Sequence, residues 1–310
     1  MKKIAIICPY FGNFPKNINI TIQSMNNNQF IDWYIFTDNN EMCKNKKYNN
    51  IFFIPYTFEE LKKNIKEKIG TDVFSIYKLC DYKPTYGYIF EELLKKYEFW
   101  GYCDVDAIFG DLAMFFTNER LNRYDKIYDL GHLSIYRNIK ELREAFMGNN
   151  IVYVPYKKIL NAKYIYVFDE PYSKEHQNIN SIIKKMGYHI YNERNEFADI
   201  DIKYNNFYPH HRKKEKYYYF LYNSKKMYLM KTSDHKFQEE ISYVHLQQKK
   251  QLPIYYENIE DLIITPKGFF EKNVSIKELF YKKNDFKLLW YLKYRIEKKI
   301  SKIIGKIKSN

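Results

Sequence analysis

The segment Trp100-Gly101-Tyr102-Cys103 is an aromatic, apolar run that leads directly into Asp104-Val105-Asp106. Two carboxylates spaced i, i+2 at the point where a buried strand leaves its sheet can reach one ion by slightly different paths. Hard divalent cations such as Mg2+ or Mn2+ take carboxylate oxygens of this kind together with substrate phosphates. The crevice beyond the carboxyl ends of parallel strands is also where open α/β sheets bind ligands. An isolated Asp-x-Asp is a common solvated turn. Its position at the end of an apolar strand, after a β-α-β beginning, makes Asp104 and Asp106 metal candidates. Asp111 follows closely but precedes the apolar run 112–116, so it reads as a helix N-cap rather than a third ligand.

The elements that must hold these residues follow from the apolar pattern. Residues 3–8 form a short run, apolar after Lys3 and closed by Pro9-Tyr10-Phe11-Gly12, as expected of a strand buried on both faces. Residues 17–25 read as a helix with Ile18, Ile22 and Met25 on one side. Residues 32–37 and 50–54 predict strands, 58–69 and 87–97 predict helices, and 99–103 predicts the strand that delivers Asp104. This order argues for an α/β fold with a mostly parallel sheet. Beyond residue 150 the pattern turns to β: strands over 151–154, 164–168 and 241–246, and a hairpin of 217–221 with 227–230 across Asn223-Ser224-Lys225-Lys226. No linker or repeat divides the chain, so one catalytic domain is expected over 1–265 and a separate tail over 266–310. In the tail Phe286, Leu289, Trp290, Ile296, Ile300 and Ile303 recur at near-helical spacing with lysines between them. That is a basic amphipathic helix, either packed on the domain or lying on an anionic membrane surface.

The 310 residues are 45% hydrophobic, enough for a sizeable core, and carry a formal net charge of +14. Much of that charge falls in the last 40 residues of the sequence. It fits an anionic partner, or lysine used simply for solubility. Cys8, Cys43, Cys80 and Cys103 have no Cys-x-x-Cys spacing and no histidine cluster, which argues against zinc and for a reduced compartment. The N-terminal apolar run is too short for a signal peptide, and no stretch has the length of a membrane span. The expectation is a cytoplasmic protein, with the tail able to hold it on the inner face of the cytoplasmic membrane, and no nucleic-acid partner.

Several segments, taken in order, extend the reading. They are ICPYFG (7–12), FTD (36–38), YKLCDYKPTYGYIF (77–90), WGYCDVDAIFGDL (100–112), GHLSIYRN (131–138), Asp169-Glu170 and VHLQQKK (244–250). Over roughly the first 250 residues the series resembles the bacterial GT-A glycosyltransferases that build capsule, O-antigen and related surface polysaccharides. The resemblance implies a GT-A fold, a Mn2+ or Mg2+ cofactor and a nucleotide-sugar donor, with UDP and a hexose as defaults. The acceptor it implies is a glycan or lipid-linked glycan.

The resemblance also implies roles for individual residues. Pro9, Tyr10 and Phe11 pack near the nucleotide and Asp38 reaches the base, although Asp-Asn-Asn also reads as a turn. Lys83, which precedes Pro84 and is therefore expected to be extended, pairs with phosphate or donor sugar; a plain surface lysine is the alternative. His245 joins Asp104 and Asp106 around the metal, and Lys249 and Lys250 neutralise the leaving diphosphate. His132 and Arg137 line the sugar and acceptor side. Asp169 or Glu170 is the carboxylate base that an inverting transferase needs; a retaining enzyme needs none, and both stereochemistries stay open. His210-His211 reads as an exposed loop. Two rival readings are a metal-dependent phosphohydrolase or nuclease, which usually needs more converging acids, and a non-enzymatic protein that binds nucleic acid or membrane through its basic tail.

Overall fold

The computed structural model describes residues 3–44, 47–148, 153–171, 177–212, 217–247, 251–275, 279–281, 287 and 296, without the side chains of 234–237. The central element is a seven-stranded sheet built from β1 (Ile4–Pro9), β2 (Ile31–Thr37), β3 (Ile51–Pro55), β4 (Phe99–Cys103), β6 (Lys126–Leu130), β7 (Leu133–Arg137) and β8 (Ile190–Tyr191). Its order is β3-β2-β1-β4-β7-β6-β8. Strands β3, β2, β1 and β4 are mutually parallel; β7 runs antiparallel to β4 and β6, and β8 is parallel to β6. The fold is thus mixed α/β with a parallel-rich central sheet and flanking helices.

Alternation along β1 builds the two sides of this sheet. Ala5 and Ile7 join one apolar cluster, while Ile4, Ile6 and Cys8 join the other. Both faces are covered, which is why the strand reads as a continuous apolar run. The helix Phe58–Ile69 covers one face with Leu61, Ile65 and Ile69, spaced one helical turn apart. A capping box between Thr57 and Glu60 starts it, and Gly70, at φ 67°, ends it.

The second half adds two smaller sheets. Five antiparallel strands, β10 (Tyr218–Asn223), β11 (Lys226–Lys231), β12 (Asp234–Ile241), β14 (Asp261–Thr265) and β15 (Gly268–Glu271), are ordered β12-β11-β10-β14-β15. Ser224 and Lys225, both at positive φ, turn the β10/β11 hairpin where the sequence predicts it. The third sheet joins β5 (Ala107–Phe109), β13 (Tyr243–His245) and β9 (Phe197–Asp199) in the order β5-β13-β9.

Five expectations need correction. The predicted helix 87–97 is two short helices, Tyr86–Ile89 and Glu91–Leu94, because Phe90 leaves helical geometry and packs its ring 4.4 Å from that of Phe36. Residues 164–168 are not a strand: the amides of Tyr166 and Phe168 bond to the Asp81 carboxylate instead of a neighbouring strand. Of 151–154, the described Tyr153 and Val154 form a bend, with both amides on Gln177 Oε1. The stretch 241–246 changes sheets at Ser242, whose amide and hydroxyl both bond to the Glu196 carbonyl. Finally, a boundary at 265 would cut the β14/β15 hairpin, whose strands pair through Thr265↔Gly268. The tail helix read over 286–310 lies outside the described residues, apart from Lys287 and Ile296.

Candidate active site

The acidic pair is positioned by two sheets at once. β4 carries Asp104 to the carboxyl edge of the central sheet, where its amide bonds to the His132 carbonyl at 3.2 Å. Val105 turns inward, 3% exposed, and Asp106 emerges just before β5. In the small sheet β13 runs antiparallel to β5 and parallel to β9, so His245 faces Ala107 on one side and Asp199 on the other. The Leu246 amide bonds to the Asp106 carbonyl at 3.1 Å. Residues far apart in sequence are thereby brought to one point: ligand atoms of Asp104, Asp106 and His245 all lie within 4.8 Å of one another.

Opposite charges are set close together here. His245 Nε2 is 3.4 Å from Asp106 Oδ1 and 3.9 Å from Asp104 Oδ2. Its Nδ1 is 2.8 Å from Asp199 Oδ1. Burial disfavours the imidazolium, but Asp106 and Asp199 outweigh it and hold the His245 pKa well above its usual value. Among the described residues Lys83 supplies an ammonium to the site: Nζ donates to Asp104 Oδ1 at 2.6 Å and to the Gly131 carbonyl at 3.0 Å, and lies 3.8 Å from Asp169 Oδ2. Burial opposes that charge too, and Asp104 and Asp169 overcome it, raising the Lys83 pKa.

Lys83 reaches this position by a route the sequence reading did not foresee. It is helical (φ −48°, ψ −44°), not extended, and opens a short 3-10 turn that contains Pro84. Proline is tolerated in a first turn because its missing N–H has no intrahelical partner there.

A second buried pair fixes the loop carrying Asp169 and Glu170. Lys78 Nζ donates to Asp81 Oδ2 at 2.7 Å and to the carbonyls of Ile159 and Tyr164 at 2.9 Å. Asp81 in turn accepts the amides of Tyr166 and Phe168, each at 2.8 Å. Between those amides Val167 sits at φ 63°, a conformation costly for a β-branched residue. Asp169 is 3% exposed, and burial raises its pKa well above the carboxylate range against the pull of Lys83. Glu170 is raised by burial as well, and its Oε1 accepts the Gly131 amide at 2.8 Å. A Cβ at Gly131 would lie 2.1 Å from Asp169 Oδ2, so any side chain here must displace the two acids.

The remaining candidates divide. Tyr10 stacks on Phe14 with ring centroids 4.8 Å apart, and its pKa is raised by burial and then by Asp106. Pro9 ends β1, and Asp38 Oδ1 accepts the Gly12 amide at 2.9 Å, tying the β1 and β2 exit loops together. Phe11 is 5% exposed and packs on Phe58 in the core, as a structural residue of this loop. Arg137 is a correction. It stands at the end of β7 paired with Phe99, the opposite end of β4 from Asp104, and its guanidinium is taken up by Asp125 and the carbonyls of Leu121, Asn122 and Tyr124.

His132 is 2% exposed and stacks on His245, with centroids 4.4 Å apart; Nδ1 is held by the Tyr243 hydroxyl at 2.7 Å and Nε2 has no partner among the described residues. Burial, then His245, lowers its pKa well below the usual value, so the ring is neutral. Asp111 caps the Leu112–Met114 turn, as expected. His210 and His211 are exposed, although His210 Nε2 comes to 3.8 Å from Asp199 Oδ2. Lys249 and Lys250 lie outside the described residues.

Asp199, the residue that orients His245, was not singled out from the sequence. The available signal was a second short aromatic strand ending in an acid, Phe197-Ala198-Asp199, like the run into Asp104. The donor set suits a hard divalent cation: two carboxylates and one imidazole nitrogen, with the other ring nitrogen fixed by a carboxylate behind it. His132, Asp199 and His245 also lie within 4.8 Å of one another. The two imidazoles of that set are stacked, at an interplanar angle of 28°, so their lone pairs run side by side instead of converging on one ion.

Comparison with known proteins adds a family. A family model described as a family of unknown function (DUF6625) matches residues 6–273. The chain belongs to this family. No curated protein matches. Similar solved structures include the bifunctional IspDF from Campylobacter jejuni, 15% identical over 62% of this chain and 49% of that one, with a TM-score of 0.30. They also include the apo form of the glycosyltransferase GlyE from Streptococcus pneumoniae TIGR4, 13% identical over 63% and 46%, with a TM-score of 0.33. A second GlyE structure is 13% identical over 57% and 45%, with a TM-score of 0.28. The matches span about half the length of those solved chains, and similarity at this level transfers no activity.

Proposed function

We propose that this protein is a divalent-cation-dependent glycosyltransferase of the GT-A type. It moves a hexose from a nucleotide-diphosphate sugar, with UDP as the default nucleotide, to a glycan or lipid-linked glycan acceptor in surface-polysaccharide synthesis. The observation that carries the reading is the convergence of Asp104, Asp106 and His245 at the carboxyl edge of β4, beside the β1 exit loop. Asp104, Asp106 and His245 would hold Mn2+ or Mg2+. When bound, the cation offsets negative charge on a departing diphosphate.

The chain's own residues do the rest. Asp199 fixes the His245 ring so that Nε2 faces the two carboxylates. Pro9 and Tyr10 border the nucleotide, with Asp38 bracing their loop through Gly12. Lys83, within hydrogen-bond reach of Asp104, would pair with the diphosphate. His132 Nε2, a buried polar atom without a partner among the described residues, is satisfied by a substrate oxygen. Glu170, less buried than Asp169 and with its pKa raised, is the base that takes the proton from the attacking hydroxyl; Asp169 backs it and balances Lys83.

The experiment is nucleotide-sugar turnover with Mn2+, with and without a mixture of oligosaccharide acceptors, analysed for sugar products. Acceptor-dependent formation of a longer saccharide supports transfer. Phosphate-bond cleavage that ignores the acceptor and consumes plain nucleotides equally would support the phosphohydrolase reading instead.

A further inference from the structure

Four consecutive residues, Phe74-Ser75-Ile76-Tyr77, are exposed between buried Val73 and buried Lys78. Phe74 is 49% exposed, Ile76 47% and Tyr77 72%. An apolar run of this kind on the surface is unfavourable unless something uses it. It is also held out firmly. The Lys78–Asp81 pair anchors one end, and at the other the Asp72 amide donates to Asn161 Oδ1 and the Asp72 carbonyl accepts from the Tyr82 hydroxyl.

The surroundings are aromatic and basic. Lys163 lies over the Phe74 ring, Nζ 5.8 Å from its centroid. Tyr164 stacks on Tyr166, and Tyr153 is close enough to Tyr166 to act on its ionisation. Lys185 lies over the Tyr153 ring at 5.6 Å. The exposed acid at the edge, Asp72, is neutralised by Lys66 at 2.7 Å. Apolar and aromatic groups projecting among lysines match the boundary between lipid headgroups and acyl chains, where tyrosine rings sit and lysines meet phosphate.

We propose that this promontory seats the protein on an anionic lipid surface: Phe74, Ile76 and Tyr77 enter the headgroup layer, and Lys163 and Lys185 face lipid phosphates. The inference does not depend on the transferase reading. Because Lys78 and Asp81 tie the promontory to the loop that ends in Asp169 and Glu170, the candidate active site is braced against the same surface.

The test is flotation of the full chain with vesicles of phosphatidylcholine and phosphatidylglycerol, against vesicles of phosphatidylcholine alone, at low and high salt. Binding is expected on the anionic vesicles and should weaken at high salt. The triple variant Phe74→Ser, Ile76→Ser, Tyr77→Ser should bind at least about tenfold more weakly, since it removes most of the inserted apolar area. Unchanged melting of that variant confirms that it folds. A second variant, Tyr77→Trp in a Trp290→Phe background, should show fluorescence quenching by brominated acyl chains. No binding by the parent, equal binding by the folded triple variant, or no quenching of the introduced tryptophan would each overturn the proposal.

Discussion

Asp199 Oδ1 holds His245 Nδ1 at 2.8 Å, across the β9/β13 pairing that sets the two residues side by side. This bond decides which imidazole nitrogen faces Asp104 and Asp106. Asp199→Ala should therefore lower Mn2+ affinity by about 10–100-fold while leaving both carboxylates in position. Titration of free Mn2+ by electron paramagnetic resonance measures this directly; wild-type affinity in the variant would remove Asp199 from the site.

Lys83 is a counter-charge of the acidic cluster, 2.6 Å from Asp104 and 3.8 Å from Asp169. Removing one partner of a buried pair strands the other. Lys83→Met should cost about 3–5 kcal/mol in denaturant unfolding with chelator present. Part of that loss should be recovered in Mn2+, because a divalent ion compensates the same acids. Equal destabilisation with and without Mn2+ would show that Lys83 and the metal do not share a charge environment.

Lys126 gives a pH dependence away from the cation site. It is wholly buried on β6, donating to the Tyr128 carbonyl, Ser134 Oγ and Asn180 Oδ1, and burial brings its pKa down to about 7. The unfolded chain holds this proton to about pH 10.4. Between pH 7 and 10 the unfolded state therefore binds more protons, and stability from this group rises with pH, by a few kcal/mol at most. Below pH 7 both states are charged and the contribution is flat. Urea unfolding at pH 7 and pH 9.5 should show the rise in the wild type and its loss in Lys126→Met.

Gly131→Ala should push Asp169 and Glu170 aside, since the new methyl would lie 2.1 Å from one and 2.9 Å from the other. Sugar transfer should fall at least about 100-fold if Glu170 is the base, with Mn2+ affinity unchanged. Loss of metal binding to the same degree would instead mean that the whole cluster had collapsed.

The first half of the fold was largely legible because local signals agree there. Strand β1, the helix Phe58–Ile69 and the strand into Asp104 fall within a residue of expectation. The pairing of Asp106 with His245 is long-range and was read from a family resemblance and the order of motifs. Asp199 escaped because one acid after a three-residue strand carries no periodicity. The segment 164–168 misled because its alternating aromatic residues look like a strand, while a side chain 85 positions away takes its amides. Arg137 misled because its motif neighbours lie at one end of β7 and its own side chain at the other.

The most direct test of the cation-dependent nucleotide site is thermal denaturation against a panel of nucleoside diphosphates and their sugars, with Mn2+ or with chelator. Specific binding raises the midpoint by mass action. The account predicts a Mn2+-dependent rise with one nucleotide family, absent in Asp106→Asn although that variant folds and melts as the wild type does without metal. A rise that persists in chelator or in Asp106→Asn, or no rise with any nucleotide, would contradict it.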